Sequence, residues 1–151
     1  MPVNTTDRPQ EILITGGAGF VGSNIALALA ERHPAWSVTA LDNLYRRGSE
    51  LNVPRLGDGG VRFVEGDVRE PSDLGSVPAP DVIVECSAEP SVMSGADGDS
   101  SYLLHTNLTG AYNCLELARR SGASLVFLST SRVYPLATLR GLALEETETR
   151  F

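Results

Sequence analysis

A chain of 151 residues with 42% hydrophobic and 21% charged side chains is long enough to bury one core and form about one domain. Its net charge of −7 disfavours nucleic acid or an anionic membrane surface as a partner, and no apolar run approaches the length of a membrane span. The first ten residues show no signal-peptide pattern, and Cys86 and Cys114 are too few for a disulfide framework or a metal site, so we expect a cytoplasmic protein without metal.

Apolar runs and turn signals alternate along the chain and predict strands and helices in turn. The predicted strands are 12–15, 36–41, 61–65, 82–86 and 125–128, and the predicted helices are 20–32, 49–56, 71–76 and 100–121, with room for a helical piece at 138–146. We expect a flexible segment over 1–10 and a single α/β domain over 11–151. Uninterrupted apolar strands joined by helices indicate a doubly wound parallel sheet, with strand order 3-2-1-4-5.

The spacing of apolar residues also predicts which surfaces are covered. Val21, Ile25 and Leu29 are expected to face the sheet from the first helix. In the long helix, helical spacing is kept by Leu104, Leu108, Ala111, Leu115 and Ala118. The fifth strand is apolar throughout, as expected for a strand covered on both faces.

A glycine-rich turn follows the first predicted strand, with glycine at 16, 17, 19 and 22. Two spacings overlap, G-x-G-x-x-G from Gly17 and G-x-x-G-x-x-G from Gly16, and both supply a tight turn, a close backbone approach and close helix packing. The helix that begins here offers free N–H groups and a positive dipole end to phosphates. Such turns also occur for structural reasons alone, but between a strand and a helix this one predicts a dinucleotide site.

Asp42 directly follows the second predicted strand, twenty residues after Gly22. A carboxylate at this position accepts hydrogen bonds from the adenosine ribose and repels a 2′-phosphate. Asp42 therefore favours NAD over NADP.

Polar and small residues follow the other strands at the same edge of the predicted sheet, where ligands bind in such folds. Asp67 has two interpretations, a contact to the adenine amino group or a turn residue. Ser87 and Ala88 are small either for packing or for close approach of the cofactor. The hydroxyl groups of Ser129, Thr130 and Ser131 satisfy loop backbone or bind ligand. Asn107 lies in a predicted helix, turned either to solvent or inward to bind.

Taken in order, several segments resemble the extended short-chain dehydrogenase/reductases, the NAD-dependent nucleotide-sugar epimerases and dehydratases, which have a Rossmann-type fold. They are T-G-G-A-G-F-V-G-S-N (15–24), L-D-N-L (41–44), G-D-V (66–68), N-L-T-G (107–110) and S-T-S-R-V-Y (129–134). Three segments, 43–50, 85–92 and 129–134, are similar to the CDP-paratose (CDP-tyvelose) 2-epimerase branch. The resemblance covers nearly all of residues 11–151.

The resemblance implies a role for each matching position. The pyrophosphate would lie along Gly16, Gly19, Phe20 and Val21, the ribose would contact Asp42, Asn43 and Leu44, and adenine would lie between Asp67 and Val68. The nicotinamide half would pass over Cys86, Ser87 and Ala88, with Asn107 steadying the loop or ribose nearby. Thr130 matches the family's catalytic Ser/Thr, and Ser131 is the adjacent alternative. Arg46 and Arg47 lie near the adenosine end or form a solvated basic turn.

In this family a tyrosine takes the proton of a sugar hydroxyl while a hydride passes to NAD, and the hydride then returns to the other face of the keto sugar. A lysine four residues after that tyrosine lowers its pKa. The present chain departs from the pattern, because all twelve basic residues are arginine and no Tyr-x-x-x-Lys pair exists. It therefore resembles the amino-terminal part of such an enzyme, without the later strands and the sugar-binding domain, and we expect negligible activity from it alone.

Three functions follow. The first is the NAD-binding part of a nucleotide-sugar epimerase, whose full-length form binds a nucleotide sugar and is a candidate homodimer. The second is a dehydratase, decarboxylase or reductase on the same scaffold. The acidic residues that dehydratases carry after the Thr130 position are replaced here by Ser131 and Arg132, which argues against dehydration. The third is a non-catalytic NAD-binding module.

Overall fold

The structure is a computed structural model that describes residues 10–91, 93–96, 98–129, 136–143, 145 and 147–149. The strands are β1 (Glu11–Thr15), β2 (Ser37–Asp42), β3 (Arg62–Glu65), β4 (Val82–Glu85) and β5 (Ser124–Phe127). The helices are α1 (Phe20–Arg32), α2 (Asn52–Asp58), α3 (Pro71–Leu74), α4 (Ser101–Leu104), α5 (Ala111–Ser121) and α6 (Leu136–Arg140). A 3₁₀ turn at Ser49–Leu51 precedes α2. The predicted flexible segment 1–10 lies outside the described residues except for Gln10.

The five strands form one parallel sheet in the order β3-β2-β1-β4-β5, which confirms the predicted fold class and strand order. Each connection crosses over through at least one helix, as a parallel sheet requires. Because β1 is central, the glycine turn that follows it lies between the ends of β2 and β4. That position places the turn where the strand order reverses, the point at which open α/β sheets bind ligands.

Hydrophobic side chains cover both faces of the sheet. One core packs beneath α1 and α2 around Ile14, Ala26, Val38 and Leu56. The other packs beneath α3 and α5 and includes Leu13, Leu41, Leu74, Ile83 and Leu117. Two separate apolar layers explain why the strands β1, β2 and β4 read as nearly continuous apolar runs.

The first helix has the predicted bounds but a different buried face. Its buried residues are Gly22, Ser23 and Ala26, whereas Val21 is 47% exposed. The prediction that Val21 faces the sheet is therefore wrong, although Ile25 and Leu29 do pack against the core. Small residues are buried here because the helix lies close to the turn that begins it, and larger side chains would keep the two apart.

The predicted helix over 100–121 is not one continuous α-helix. A π-helical segment, His105–Gly110, separates α4 from α5. The side chains of Leu104, Leu108 and Leu115 are exposed, and the buried ones on α5 are Asn113, Cys114, Leu117 and Ala118. The helix ends at Ser121, as predicted, and Gly122 follows it in the left-handed conformation at φ 73°.

The prediction that β5 is covered on both faces is wrong. Val126 is 52% exposed and Phe127 is 54% exposed, and among the described residues β5 lies at the edge of the sheet and pairs with β4 alone. The helical piece predicted at 138–146 is shorter and earlier, at Leu136–Arg140. Within the described part of the chain, no helix is long and apolar enough to cross a membrane.

Candidate functional site

A cavity of about 370 Å³ opens along the carboxyl ends of β1, β2, β3 and β4. Its size falls within the range of small-molecule sites in proteins. The predicted site residues that line it are Gly16, Gly19, Asp42, Asn43, Asp67, Val68, Cys86, Ser87 and Ala88. The topology thus brings together residues from four separate strand ends, as the sequence analysis expected.

The glycine turn forms one wall of this cavity through close backbone contacts. Gly16 has φ 61°, and a Cβ atom there would lie 2.7 Å from the carbonyl oxygen of Cys86. A Cβ atom on Gly17 would lie 2.6 Å from the Cβ atom of Ala40. Gly16 is therefore required by conformation and by space, and Gly17 by space, so both overlapping glycine spacings have a structural basis.

Asp42 links the end of β2 to the glycine turn. Its Oδ2 accepts a hydrogen bond from the Ala18 N–H at 3.1 Å, and its Oδ1 accepts one from the Leu44 N–H at 2.8 Å. Leu44 has φ 53°, a strained conformation for a leucine that this hydrogen bond stabilises. A carboxylate oxygen can accept more than one hydrogen bond, so each oxygen of Asp42 can accept another from a ligand in the cavity.

A side chain of α2 also forms a hydrogen bond to the glycine turn. The Asn52 amide donates to the Ala18 carbonyl oxygen at 2.8 Å, so the peptide groups on both sides of Ala18 are fixed by side chains. The Arg55 guanidinium also reaches α1, where it donates to Asn24 Oδ1 at 2.8 Å. The turn is thus positioned before any ligand binds.

Asp67 is the centre of a polar cluster that sequence reasoning found only in part. Arg69 donates to both carboxylate oxygens of Asp67, with the shortest contact 2.6 Å, and the Asn43 amide donates to Oδ2 at 2.8 Å. Burial raises the pKa of Asp67, but the hydrogen bonds from Arg69 and Asn43 outweigh it and lower the pKa to about 2. Asp67 is therefore ionised at neutral pH. An amino group of a ligand and the Arg69 guanidinium would both donate hydrogen bonds to the Asp67 carboxylate.

Two tyrosines and Arg69 form a stack that the sequence analysis missed. The rings of Tyr45 and Tyr102 stack with centroids 4.5 Å apart, and the Arg69 guanidinium lies 5.1 Å from the centre of the Tyr102 ring. Both tyrosines line the cavity. The sequence alone gives little indication of this stack, because its three residues are not adjacent in the chain and exposed tyrosines are common.

Asn113 of α5 supports the segment after β3, at Val68 and Arg69, with its side-chain amide. This buried amide donates to the carbonyl oxygens of Val68 at 2.9 Å and Arg69 at 3.1 Å. An asparagine on the buried face of α5 is the signal that could have identified it, since buried amides require partners.

Asn107 is exposed, in line with the first of its two predicted orientations, and its side chain binds the backbone of the loop after β4. Its side chain accepts from the Glu89 N–H at 2.8 Å and donates to the Glu89 carbonyl oxygen at 3.2 Å. Asn107 does not line the cavity, but its neighbour Thr106 does. Thr106 Oγ1 is buried and, among the described residues, has no hydrogen-bond partner, so a polar group in the cavity would satisfy it.

Several predicted residues lie away from the cavity wall. Phe20 is 84% exposed, and Phe20, Val21 and Leu44 are not part of the lining. Arg46 lines the cavity, whereas Arg47 is exposed outside it. Thr130 and Ser131, the predicted catalytic residues, lie outside the described residues.

The residues present fit an extended dinucleotide. Backbone N–H groups and glycines lie at the central turn, a carboxylate at the end of β2, and a slot beside Val68 is bounded by polar and aromatic side chains. Cys86 also lines the cavity, but burial raises the pKa of its thiol to about 12, so it is not a nucleophile at neutral pH. The described residues contain no cluster of three or more metal-binding side chains. The arrangement can therefore bind and orient a ligand, and it contains no activated nucleophile among the residues described.

Comparison with known proteins gives consistent matches. The chain is 36% identical over 124 residues to a dTDP-glucose 4,6-dehydratase of Mycobacterium tuberculosis, covering 82% of this chain and 37% of that protein. It is 32% identical over 148 residues to the CDP-paratose 2-epimerase of Salmonella typhi, covering 93% of this chain and 42% of that protein. The chain thus spans about two fifths of the length of these relatives.

Among solved structures, the dTDP-glucose 4,6-dehydratase of Bacillus anthracis in complex with NAD matches with a TM-score of 0.66 and 30% identity, over 80% of this chain and 37% of that one. Residues 12–150 match the model of the NAD dependent epimerase/dehydratase family. Since that match covers nearly the whole chain, and the fold and the ends of its strands agree with it, the chain belongs to the NAD-dependent epimerase/dehydratase family.

Proposed function

We propose that this chain is the NAD-binding part of a nucleotide-sugar epimerase. The observation that carries the proposal is Asp42, whose carboxylate lies on the cavity wall and is hydrogen-bonded to the backbone of the glycine turn. This arrangement suits a ribose diol and opposes a 2′-phosphate, so NAD is the cofactor we propose rather than NADP. Bound NAD would supply the acceptor and donor of a hydride.

The chain's own residues would bind and orient the cofactor. The N–H groups at the start of α1 and the backbone of Gly16 and Gly19 would receive the pyrophosphate. Asp67 and Val68 would flank the adenine, and the loop of Cys86, Ser87 and Ala88 would support the other half of the cofactor. Thr130, with Ser131 as the alternative, would hydrogen-bond the sugar hydroxyl at which oxidation occurs.

The test of this proposal is equilibrium binding rather than turnover. Calorimetric titration of the 151-residue chain with NAD and with NADP is expected to give tighter binding of NAD. Equal or tighter binding of NADP would contradict the assignment to Asp42. Epimerisation by the chain alone is expected to be negligible, because the chain contains no lysine and hence no Tyr-x-x-x-Lys pair.

A dehydratase is the second candidate, and the similarity to the Mycobacterium tuberculosis dehydratase favours it. The residues after Thr130 favour the epimerase, since Ser131 and Arg132 occupy the positions where dehydratases carry acidic side chains. Reading the coding sequence beyond Phe151 would separate both enzymes from a non-catalytic NAD-binding module. A Tyr-x-x-x-Lys pair within a few tens of codons is expected for either enzyme and would contradict the module.

We also propose that the full-length protein is a homodimer that binds a nucleotide sugar. An exposed apolar stripe runs along α4, the π-helical segment and α5 and supports self-association; its members are Leu104, Leu108, Tyr112 and Leu115, each 54% to 68% exposed. Light scattering after size exclusion is expected to show a dimer, and Leu108→Glu is expected to shift it toward the monomer. An unchanged mass for this variant would argue against the stripe as the interface.

A further inference from the structure

A carboxyl group lies in the protein interior directly beneath the loop that lines the cavity. Glu85 is the last residue of β4 and is only 3% exposed. Side chains alternate along a strand, so Glu85 shares the sheet face of Ile83, which packs in the core beneath α5. In the described part of the chain, ion pairs are found at Arg69–Asp67 and Arg119–Glu116, and Glu85 is in neither. Burying a carboxyl group without a counter-charge is costly, so the group requires an explanation.

Glu85 holds the backbone of the cavity-lining loop. Its Oε1 accepts a hydrogen bond from the Ser87 N–H at 2.9 Å, and the Thr15 hydroxyl donates to the same oxygen at 3.5 Å. The Ser87 N–H belongs to the peptide group that joins Cys86 to Ser87, and both residues line the cavity. The carboxyl group therefore fixes the orientation of a peptide group in the cavity floor.

That peptide group is in turn in tight contact with the glycine turn. A Cβ atom on Gly16 would lie 2.7 Å from the Cys86 carbonyl oxygen and 2.9 Å from the Ser87 nitrogen. The Cys86–Ser87 peptide therefore lies so close to Gly16 that no side chain fits between them. The hydrogen bond that the Ser87 N–H donates to Glu85 thus fixes a peptide group at the contact between two walls of the cavity.

Glu85 is also the group in this cluster whose charge changes near neutral pH. Burial raises its pKa to about 7, and the hydrogen bonds from Ser87 and Thr15 oppose that shift without cancelling it. The neighbouring titratable groups are the thiols of Cys86 on the same loop and Cys114 on α5, and burial raises both of their pKa values to about 12, so both stay neutral. From the adjacent strands β1 and β5, the residues paired with Glu85 are Thr15 and Phe127, which carry no charge. Among the described residues Glu85 takes part in neither ion pair, so its ionised form is disfavoured in the buried arrangement and would favour one in which water reaches the carboxylate.

We propose that Glu85 is a positioning residue that holds the Cys86–Ser87 peptide for cofactor binding, and that its protonated form is the one competent to bind. This inference rests on the proposed function, because the cofactor is the ligand whose affinity it controls. If the competent fraction alone binds, the apparent dissociation constant equals the intrinsic constant divided by that fraction. For one proton lost near pH 7, the dissociation constant for NAD rises about tenfold between about pH 6 and about pH 8.

The experiment compares the wild-type chain with Glu85→Gln, which keeps an oxygen that accepts from the Ser87 N–H but cannot ionise. The matched control is Glu65→Gln, at the exposed end of β3, where the same chemical change removes a solvated carboxylate. The dissociation constant for NAD is measured across the pH range for all three chains. The Ser87 amide proton and the Glu85 carboxyl carbon are followed by NMR in the absence of NAD.

The expected result is a tenfold loss of NAD affinity with rising pH in the wild type and in Glu65→Gln, and a flat profile in Glu85→Gln. The Ser87 amide is expected to titrate together with the Glu85 carboxyl group in the free chain. If the Ser87 amide signal does not change with pH as the Glu85 carboxyl group titrates, Glu85 does not position the Cys86–Ser87 peptide. If the dissociation constant for NAD depends on pH in the same way in the wild type and in Glu85→Gln, Glu85 does not control NAD binding. If the chain binds no NAD at any pH, both the proposed function and the control of NAD binding by Glu85 are contradicted. The NMR titration is made without NAD, so it still decides whether Glu85 positions the Cys86–Ser87 peptide.

Discussion

Replacing Gly22 by alanine tests whether close contact between α1 and the glycine turn determines both stability and binding. The new Cβ atom would overlap the Gly16 carbonyl oxygen and would lie 2.9 Å from Gly16 C and Gly17 Cα. All of these atoms belong to the backbone, so no side chain can rotate away to make room. The helix and the turn must separate instead.

The magnitude follows from two opposing effects. Overpacking of a well-packed interior costs about 1 to 3 kcal/mol, and here the upper part of that range applies because backbone must move. Alanine also gains about 1 kcal/mol over glycine from helix propensity. We therefore expect Gly22→Ala to lower the free energy of unfolding by about 1 to 2 kcal/mol and to weaken NAD binding, because the displaced turn receives the pyrophosphate.

Gly57 in α2 provides the matched control. It is also helical, and a Cβ atom there would meet nothing within 4 Å. Gly57→Ala is expected to raise the free energy of unfolding by about 0.5 to 1 kcal/mol and to leave NAD binding unchanged. Urea unfolding followed by circular dichroism and calorimetric titration with NAD measure both quantities. A Gly22→Ala variant that is as stable as Gly57→Ala and binds NAD as tightly as the wild type would show that close contact between α1 and the glycine turn determines neither stability nor binding.

Three further predictions concern charged groups of the site. Asp42→Asn removes the negative charge that opposes a 2′-phosphate and weakens the acceptor for the ribose, so the ratio of NAD to NADP affinity is expected to fall about tenfold in calorimetric titrations; an unchanged ratio would contradict this role. Since the pKa of Asp67 is lowered to about 2, its stabilising contribution is present above the ordinary value of 3.8 and is lost as the pH falls toward 2. Arg69→Met is therefore expected to lower the free energy of unfolding by about 1 kcal/mol at neutral pH, because the pair is partly exposed and the Asn43 hydrogen bond remains. The difference from wild type is expected to shrink in acid, and a difference that stays constant with pH in urea unfolding would argue against the ion pair. The pKa of Glu85 is raised from 4.5 to about 7, so the native state keeps a proton that the unfolded chain has lost, and wild-type stability is expected to fall by up to about 3 kcal/mol as the pH rises through this range. Glu85→Gln is expected to lack that decline, and a decline equal to that of wild type would exclude Glu85 as its source.

The strand order and most of the cavity lining could be predicted from the sequence for a simple reason. In a parallel sheet the residues after each strand share one edge, so Asp42, Asp67 and Ser87 are brought together by topology rather than by pair contacts. Topology follows from the alternation of apolar runs and helices. Contacts that join side chains far apart in sequence do not, and the hydrogen bond from Asn113 to Val68 spans 45 positions.

The long helix shows a different limit of sequence reasoning. Apolar periodicity identifies a helix but does not say which stripe meets the sheet. Here an apolar stripe that includes Leu108 and Leu115 is exposed, while the buried face combines the apolar residues Leu117 and Ala118 with the polar residues Thr106 and Asn113. The two polar residues are buried because they line or support the cavity, and the π-helical segment shifts the register between Thr106 and α5. The site thus places polar side chains on a buried face that apolar periodicity alone does not predict.

The central position of β1 has a consequence for synthesis of the chain. One edge of β1 pairs with β2, which follows soon after it, but the other pairs with β4, and Thr15 and Glu85 are 70 positions apart. At about 5 to 20 residues per second, a ribosome adds that length in about 4 to 14 s. During this time the N–H and C=O groups along that edge of an apolar strand have no partner strand. A nascent chain of this fold therefore passes through an interval in which it can pair with a neighbouring polypeptide, and co-translational chaperones would have their greatest effect before β4 emerges.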